Sequence, residues 1–387
     1  MYKNYFFSIP PIELSFEEQL NNCTNEIKKL TNFDRYKILY ISFFTDAYSA
    51  GDFLQHKKLI SNNIINCFDI MIPYSIIAQS PVSSKIAAEV CYVDLESSHD
   101  LKVEYKCFDN FNYCVIRIGD VKEVISSGIT FFEENLSLYD QIFKSFNTIE
   151  EILQREEMTF WNVVRQWNYV EEITAQKISK GKMIQNYQLL NDIREHTYRK
   201  YNFTNGYPSA TGIGMKTGGA VIAFIASSLG DGVTPIMNSE QIDAHKYSKK
   251  VLVGDAIEGM VDKATPKFER AKLVEANGTK EIYVSGTAAI KGEKTLGIGD
   301  VAEQTLITID NINKLLSVDN LKKQEIFIEG LQLEYTYLRI YAKDKSSVEI
   351  IEQIIKENYK DVKTLIVVGD ICRNNLLVEI EGICYLK

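Results

Sequence analysis

The sequence predicts an α+β fold: two similar βαβαβ layers, each a sheet with helices on one face, whose bare faces meet at an inter-domain cleft. Three observations predict it. The stretch from Asp370 to Gly382 alternates, with Leu376, Val378 and Ile380 on one face of a strand and Glu379 and Glu381 on the other. The order strand, helix, strand, helix, strand, strand runs from about 281 to the end, and a faint echo of that order runs from about 124 to 226. Two amphipathic stretches in the last section open on capping signals, Asp300 with Glu303 and Ser346 with Glu349.

The elements follow in order. Residues 1 to about 37 read as an irregular arm and then a short helix around Glu17 to Leu30. Lys37 to Phe44 is rich in β-branched and aromatic residues and reads as a strand, whereas 55–95 supports no firm assignment. Lys102 to Phe108 and Tyr113 to Ile118 flank the turn Asp109–Asn112 as a hairpin. Val124 to Phe132 is a strand, Ser137 opens a helix to about Gln154, and the aromatic run Thr159 to Val170 favours a strand. A polar helix over 182–200, a Gly-punctuated extended segment (Pro208 to Gly214) and a buried strand (Ala220 to Ala226) complete the first layer. Residues 228–268 are polar and loop-like, long enough to suggest a role at a site. Beyond them Glu281 to Ile290 is a strand, and the helix after Asp300 turns Ala302, Thr305, Ile309, Ile312 and Leu316 inward. Leu333 to Tyr341 is a strand, the next helix turns Ile351, Ile354 and Ile355 inward, and Thr364 to Val368 precedes the Glu-Ile-Glu strand. This divides the chain into an N-terminal domain with an extra arm (1–226), a connecting loop near the site (227–270) and a C-terminal domain (271–387).

Composition narrows the function. With 387 residues, 45% of them apolar, a substantial core is within reach. A net charge of −9 with no basic block excludes a nucleic-acid footprint, so an anionic small-molecule substrate would be met by a few local Arg or Lys residues. The seven cysteines are odd in number and lack metal-ligand spacing, and the four histidines are scattered, so no metal site is expected. Free thiols without a secretory leader point to a reducing cytoplasm, and no run is long enough to span a bilayer. Chemistry-bearing residues crowd near the end of the chain: Cys372 and Arg373 at a turn, then Glu379 and Glu381 on one strand face. Those carboxylates either face water on an open sheet or, if buried, need partners.

Residues 268–387 resemble the RidA/YjgF (chorismate-mutase-like) fold family through Val-Ser-Gly-Thr at 284–287, the Gln304 to Asn311 helix, and Cys372-Arg373 followed by Val-Glu-Ile-Glu at 378–381. With Arg165-Gln-Trp-Asn-Tyr169, Pro208-Ser-Ala-Thr-Gly-Ile-Gly214 and Pro266-Lys-Phe-Glu-Arg-Ala271, the chain from about 150 onward is similar to the chorismatase family, which joins a degenerate RidA-like half to a second RidA-like half. The resemblance implies cofactor-independent hydrolysis of the enolpyruvyl ether of chorismate, or of a related compound, for secondary metabolism. The products would be pyruvate plus 3-hydroxybenzoate or a dihydroxycyclohexadiene carboxylate. It puts the catalytic acid at Glu379, the cysteine associated with 3-hydroxybenzoate formation at Cys372, and the adjacent arginine at Arg373. Where that family has a Tyr-Pro-Arg-rich loop, this sequence reads Ala244 to Gly254 and offers Lys249 and Lys250.

Cleaving an enol ether needs one acid, protonated near neutral pH; burial or a like charge, here from Glu381, would keep it so. A dianionic substrate asks for two cationic clamps. Arg373 suits one carboxylate; Arg165 is either the second clamp or half of a strand-face salt bridge. Thr287 and Tyr247 could orient the ring, and Tyr169 with Trp167 reads as core or cleft wall. No His lies near Cys372 in sequence, so it is expected to shape the pocket or assist ring rearrangement rather than attack. Two alternatives stand beside this reading: a RidA-like enamine/imine deaminase, with Arg373 holding a carboxylate and Glu379 positioning water, and a non-catalytic RidA-like binding module. RidA-like deaminases are short domains that assemble as trimers; this chain is expected as a monomer or a trimer.

Overall fold

The computed structural model describes residues 3–31, 34–68, 71–133, 135–179, 181–276, 278–328 and 330–387. They form sheets of four, six and seven strands plus two two-stranded ribbons. The large sheets share one connection: strand, helix, strand, helix, strand, strand, with the last strand inserted between the first two. In the first unit these are Lys3–Ser8, helix Phe16–Thr31, Tyr36–Thr45, helix Ala50–Cys67, Tyr74–Ile77 and Ile86–Asp94. In the central unit they are Val121–Ile129, helix Leu138–Arg155, Val163–Glu171, helix Asn186–Tyr198, Ser209–Met215 and Ala220–Ser227. In the last unit they are Thr279–Ala288, helix Val301–Leu315, Leu333–Ala342, helix Val348–Asn358, Thr364–Val368 and Val378–Leu386. Each unit pairs its second and third strands in parallel across a helical crossover.

The α+β class holds, but the topology counts three units where the sequence suggested two layers. Residues read as an arm and an unassigned stretch supply the additional one: Lys3–Ser8 pairs antiparallel with Ile86–Asp94, and Ala50–Cys67 is a helix. That helix carries a capping box, Ser49 Oγ accepting from Asp52 N and Asp52 accepting from Ser49 N, both at 3.1 Å. Other boundaries also move. Thr159 caps a short 3-10 turn at Phe160–Asn162 before the strand Val163–Glu171 begins. The helix expected from 182 starts at Asn186, because Lys182–Gln185 pairs with Gln176–Ser179 as a ribbon. A 3-10 turn, Lys345–Ser347, moves the cap expected at Ser346 to Ser347.

Helices cover one face of the central and last sheets, each over its own apolar core. The bare faces of all three sheets meet in a common core that includes Tyr40, Phe44, Trp167, Tyr169, Tyr337 and Tyr341. Buried charge ties the units together there. Lys3 of the first unit reaches Glu123 of the central unit at 3.0 Å and Glu281 of the last at 2.8 Å. Arg339 of the last unit pairs with Glu89 of the first and donates to Tyr169 Oη of the central unit at 2.7 Å. Interior charges of this kind need such pairing to be tolerated.

Candidate active site

Glu379 and Glu381 lie on the bare face of the Val378–Leu386 strand, where they pair across the ladder with Tyr341 and Arg339. The central unit covers that face, so Glu379 is only 4% exposed and Glu381 1%. Burial treats the two carboxyls differently because their partners differ. Glu381 accepts from Arg165 Nη2 at 2.6 Å, Arg339 Nη1 at 2.7 Å, and Trp167 Nε1 and Tyr341 Oη at 3.0 Å each, and also from the Thr211 hydroxyl. Burial alone would raise its pKa, but Arg339 and Arg165, with the hydroxyl donors, outweigh burial and hold the carboxyl below the usual range. Glu381 is therefore an anion at neutral pH.

Glu379 makes no hydrogen bond or ion pair with any described residue. Burial first, then the negative Glu381 beside it, push its pKa up to about 8 against the weaker pull of Arg165 and Arg270. The carboxyl sits against Gly286 of the Val-Ser-Gly-Thr segment, where a Cβ would stand 2.9 Å from its Cδ and 3.2 Å from Thr211 Cγ2. Only glycine leaves room for the acid at that place. Gly286→Ala is accordingly expected to displace the carboxyl and lower turnover by about 10²-fold, read by steady-state kinetics with circular dichroism as the folding control.

The acid faces a small cavity of about 50 Å³ between the central and last units, lined also by Cys372, Arg373, Arg270, Tyr187 and Tyr247. Arg270 Nη2 donates to Ile242 O at 2.6 Å and to Tyr247 Oη at 2.7 Å, while its Nε is buried without a partner among the described residues. Arg373 donates to Glu293 O at 2.8 Å, and its guanidinium lies 5.3 Å from the centre of the Tyr247 ring. Two guanidinium groups thus flank one phenol beside the buried acid. Burial, then the nearby Glu379, push the Cys372 thiol up to about 12 despite Arg373, so it is a neutral thiol and not a thiolate nucleophile. The Pro208–Gly214 segment anchors the wall: Ala210 N donates to Ser285 Oγ at 2.8 Å, Gly286 N to Thr211 Oγ1 at 3.1 Å, and Gly214 N to Asp370 O at 2.6 Å.

Of the residues the sequence proposed, Glu379, Cys372, Arg373 and Tyr247 come together at this cavity. Glu381, Arg165 and Tyr169 are buried in the neighbouring ionic network: Arg165 is held in the salt bridge to Glu381, and Tyr169 accepts from Arg339. Thr287 is turned away; alternation aims Gly286 and Ala288 at the cavity, and the Thr287 hydroxyl donates to Ser285 O at 2.9 Å. Lys249 pairs with Asp262 at the surface at 2.7 Å, and Lys250 is exposed. The second cavity cation is Arg270, inside the Pro266–Ala271 segment already singled out, where its charge was the available signal. Tyr187 carried no such signal.

Known proteins resemble this chain in sequence and in fold. Residues 93–226 match the family model described as chorismatase FkbO/Hyg5-like, N-terminal. A 3-hydroxybenzoate synthase of Streptomyces hygroscopicus is 25% identical over 76% of this chain and 81% of its own. A chorismatase of Streptomyces rapamycinicus is 31% identical over 46% of this chain and 50% of its own. The crystal structure of a chorismatase shares the fold, with a TM-score of 0.69 over 98% of each chain at 17% identity. The likeness to chorismatases thus runs through both sequence and fold.

Proposed function

We propose that this enzyme cleaves the enolpyruvyl ether of chorismate and releases pyruvate. The observation that carries the reading is an unpaired, protonated carboxyl, Glu379, facing a cavity flanked by two guanidinium groups. The named activities of the relatives support the choice of substrate.

The chemistry follows from those groups. Glu379 gives its proton to the terminal methylene carbon, the C=C electron pair forming the new C–H bond. The ether oxygen stabilises the resulting oxocarbenium ion, and that charge develops beside the carboxylate left on Glu379. Water adds to the cation and returns a proton to Glu379. The hemiketal then collapses to pyruvate and a ring alcohol, with one water consumed overall. On the branch to 3-hydroxybenzoate the ring also loses water as it becomes aromatic, so no net water is taken up. A neutral Cys372 beside the acid favours that branch by shaping the ring's surroundings. Arg270 and Arg373 are the clamps for the two substrate carboxylates, and Arg165 acts at one remove by holding Glu381 anionic. The closed cavity is far smaller than the roughly 300 Å³ of a typical ligand pocket, so substrate admission requires the Val251–Val253 wall to move outward.

The test is purified protein with chorismate, pyruvate being followed across pH. Because Glu379 must be protonated and its pKa stands at about 8, kcat/KM is expected to stay level below that pH and to fall tenfold per unit above it. Absence of pyruvate would overturn the substrate; a rate that climbs through pH 8 would overturn the acid.

A further inference from the structure

The central sheet repeats the backbone device that seats Glu379. In the last sheet the register runs from Val284↔Gly382 to Thr287↔Ile380, three residues against two, the bulge spanning Ser285 and Gly286. In the central sheet it runs from Ser126↔Phe224 to Ile129↔Ile222, again three against two, spanning Ser127 and Gly128. Tyr341 pairs with Glu379 as Tyr169 pairs with Val221, so an apolar side chain takes the acid's place in the copy.

A second cleft opens at that copy, between the first and central units. The backbone of Tyr74 closes over Gly128, and the helix Ala50–Cys67 stands where Asn186–Tyr198 stands at the active cleft. Its cavity is about 430 Å³, within the range of small-molecule sites. Phe53, Tyr74, Phe111 and Phe132 give it aromatic walls. The Ser127 and Thr130 hydroxyls in its lining are buried with no hydrogen-bond partner among the described residues, and Ser127 is only 6% exposed. Buried hydroxyls are ordinarily satisfied, so these two are donors and acceptors free to meet a ligand in the cavity. Lys57, half-buried in the same lining, makes no ion pair with any described residue, and neither do Asp109 and Glu133, exposed at the rim.

We propose that this second cleft binds a small aromatic zwitterion, an amino acid with an aromatic side chain, without turning it over. Lys57 takes the carboxylate, a rim carboxylate takes the ammonium, and the ring lies among the aromatic side chains. A simple anion would meet Asp109 and Glu133, and a simple cation would meet Lys57; the zwitterion satisfies both signs. This proposal stands independently of the reaction assigned to Glu379.

Isothermal titration of the full chain with L-phenylalanine and L-tyrosine tests it, with benzoate and phenethylamine as the arms lacking one charge each. The expected result is saturable binding of at least one amino acid, with both single-charge arms at least tenfold weaker. Lys57→Met and Ser127→Ala should each weaken it by about tenfold or more, with thermal melts like the parent's, while Glu379→Gln keeps it. No binding, binding indifferent to both Lys57→Met and Ser127→Ala, or binding lost in Glu379→Gln, which would assign the ligand to the catalytic cleft, each overturns the proposal.

Discussion

Replacing Glu379 by glutamine is expected to lower pyruvate release from chorismate by about 10²–10⁴-fold, the usual worth of a positioned acid, while the protein stays folded. The amide matches the carboxyl in shape but has no acidic proton to give to carbon. Because Glu379 makes no ion pair or hydrogen bond with the described residues, the substitution strands no partner, and the loss reports chemistry rather than collapse. Stability supplies a second signature. The unfolded carboxyl titrates near 4.5 and the folded one near 8, so the stability held by the neutral group is complete below the first value and is lost as pH rises through the second. Glutamine cannot ionise, so thermal melts of the variant should lose that part of the decline toward alkaline pH. Undiminished turnover would remove Glu379 from the mechanism even with pyruvate as product.

The second large effect is expected from Arg339→Met. This side chain is buried between Glu89 and Glu381 and also donates to Tyr169 and Tyr341. Without it, Glu89 loses its guanidinium partner, and Glu381 keeps only Arg165 of its two cations. Removing one member of a buried pair typically costs about 3–5 kcal/mol, because the remaining charge has no solvent to fall back on. Denaturant unfolding followed by tryptophan fluorescence measures this directly, since Trp167 itself donates to Glu381. A change below about 1 kcal/mol would show that water reaches the network, against the burial described here.

The last unit was the most legible part of the chain because its signals are local. Alternation along 376–384 and the Asp300 cap, which accepts from Glu303 N at 2.9 Å, each need only a few residues to be recognised. The first unit was legible only in part: its helix Phe16–Thr31 and strand Tyr36–Thr45 were read, and the rest was missed for the opposite reason. Its helix Ala50–Cys67 buries only Phe53, Ile60 and Ile64 among many polar residues, and its capping box uses Asp52 in place of the more familiar Glu or Gln. The strand Lys3–Ser8 is defined by pairing with residues eighty or more positions away, which no local pattern reveals. The site divided along the same line. Glu379, Cys372 and Arg373 share one turn and strand and were found together, whereas Arg165 and Arg270 could be sorted between network and cavity only once the strands were folded against one another.

Carrying three units on one polypeptide has an evolutionary consequence. An assembly of identical subunits must repeat every substitution in each copy, so its crevices stay alike. Here glutamate at 379 and valine at 221 occupy equivalent ladder positions and can differ without constraining each other. Covalent linkage thus lets one chamber carry an acid that its neighbour lacks, and dilution cannot separate the walls that form either.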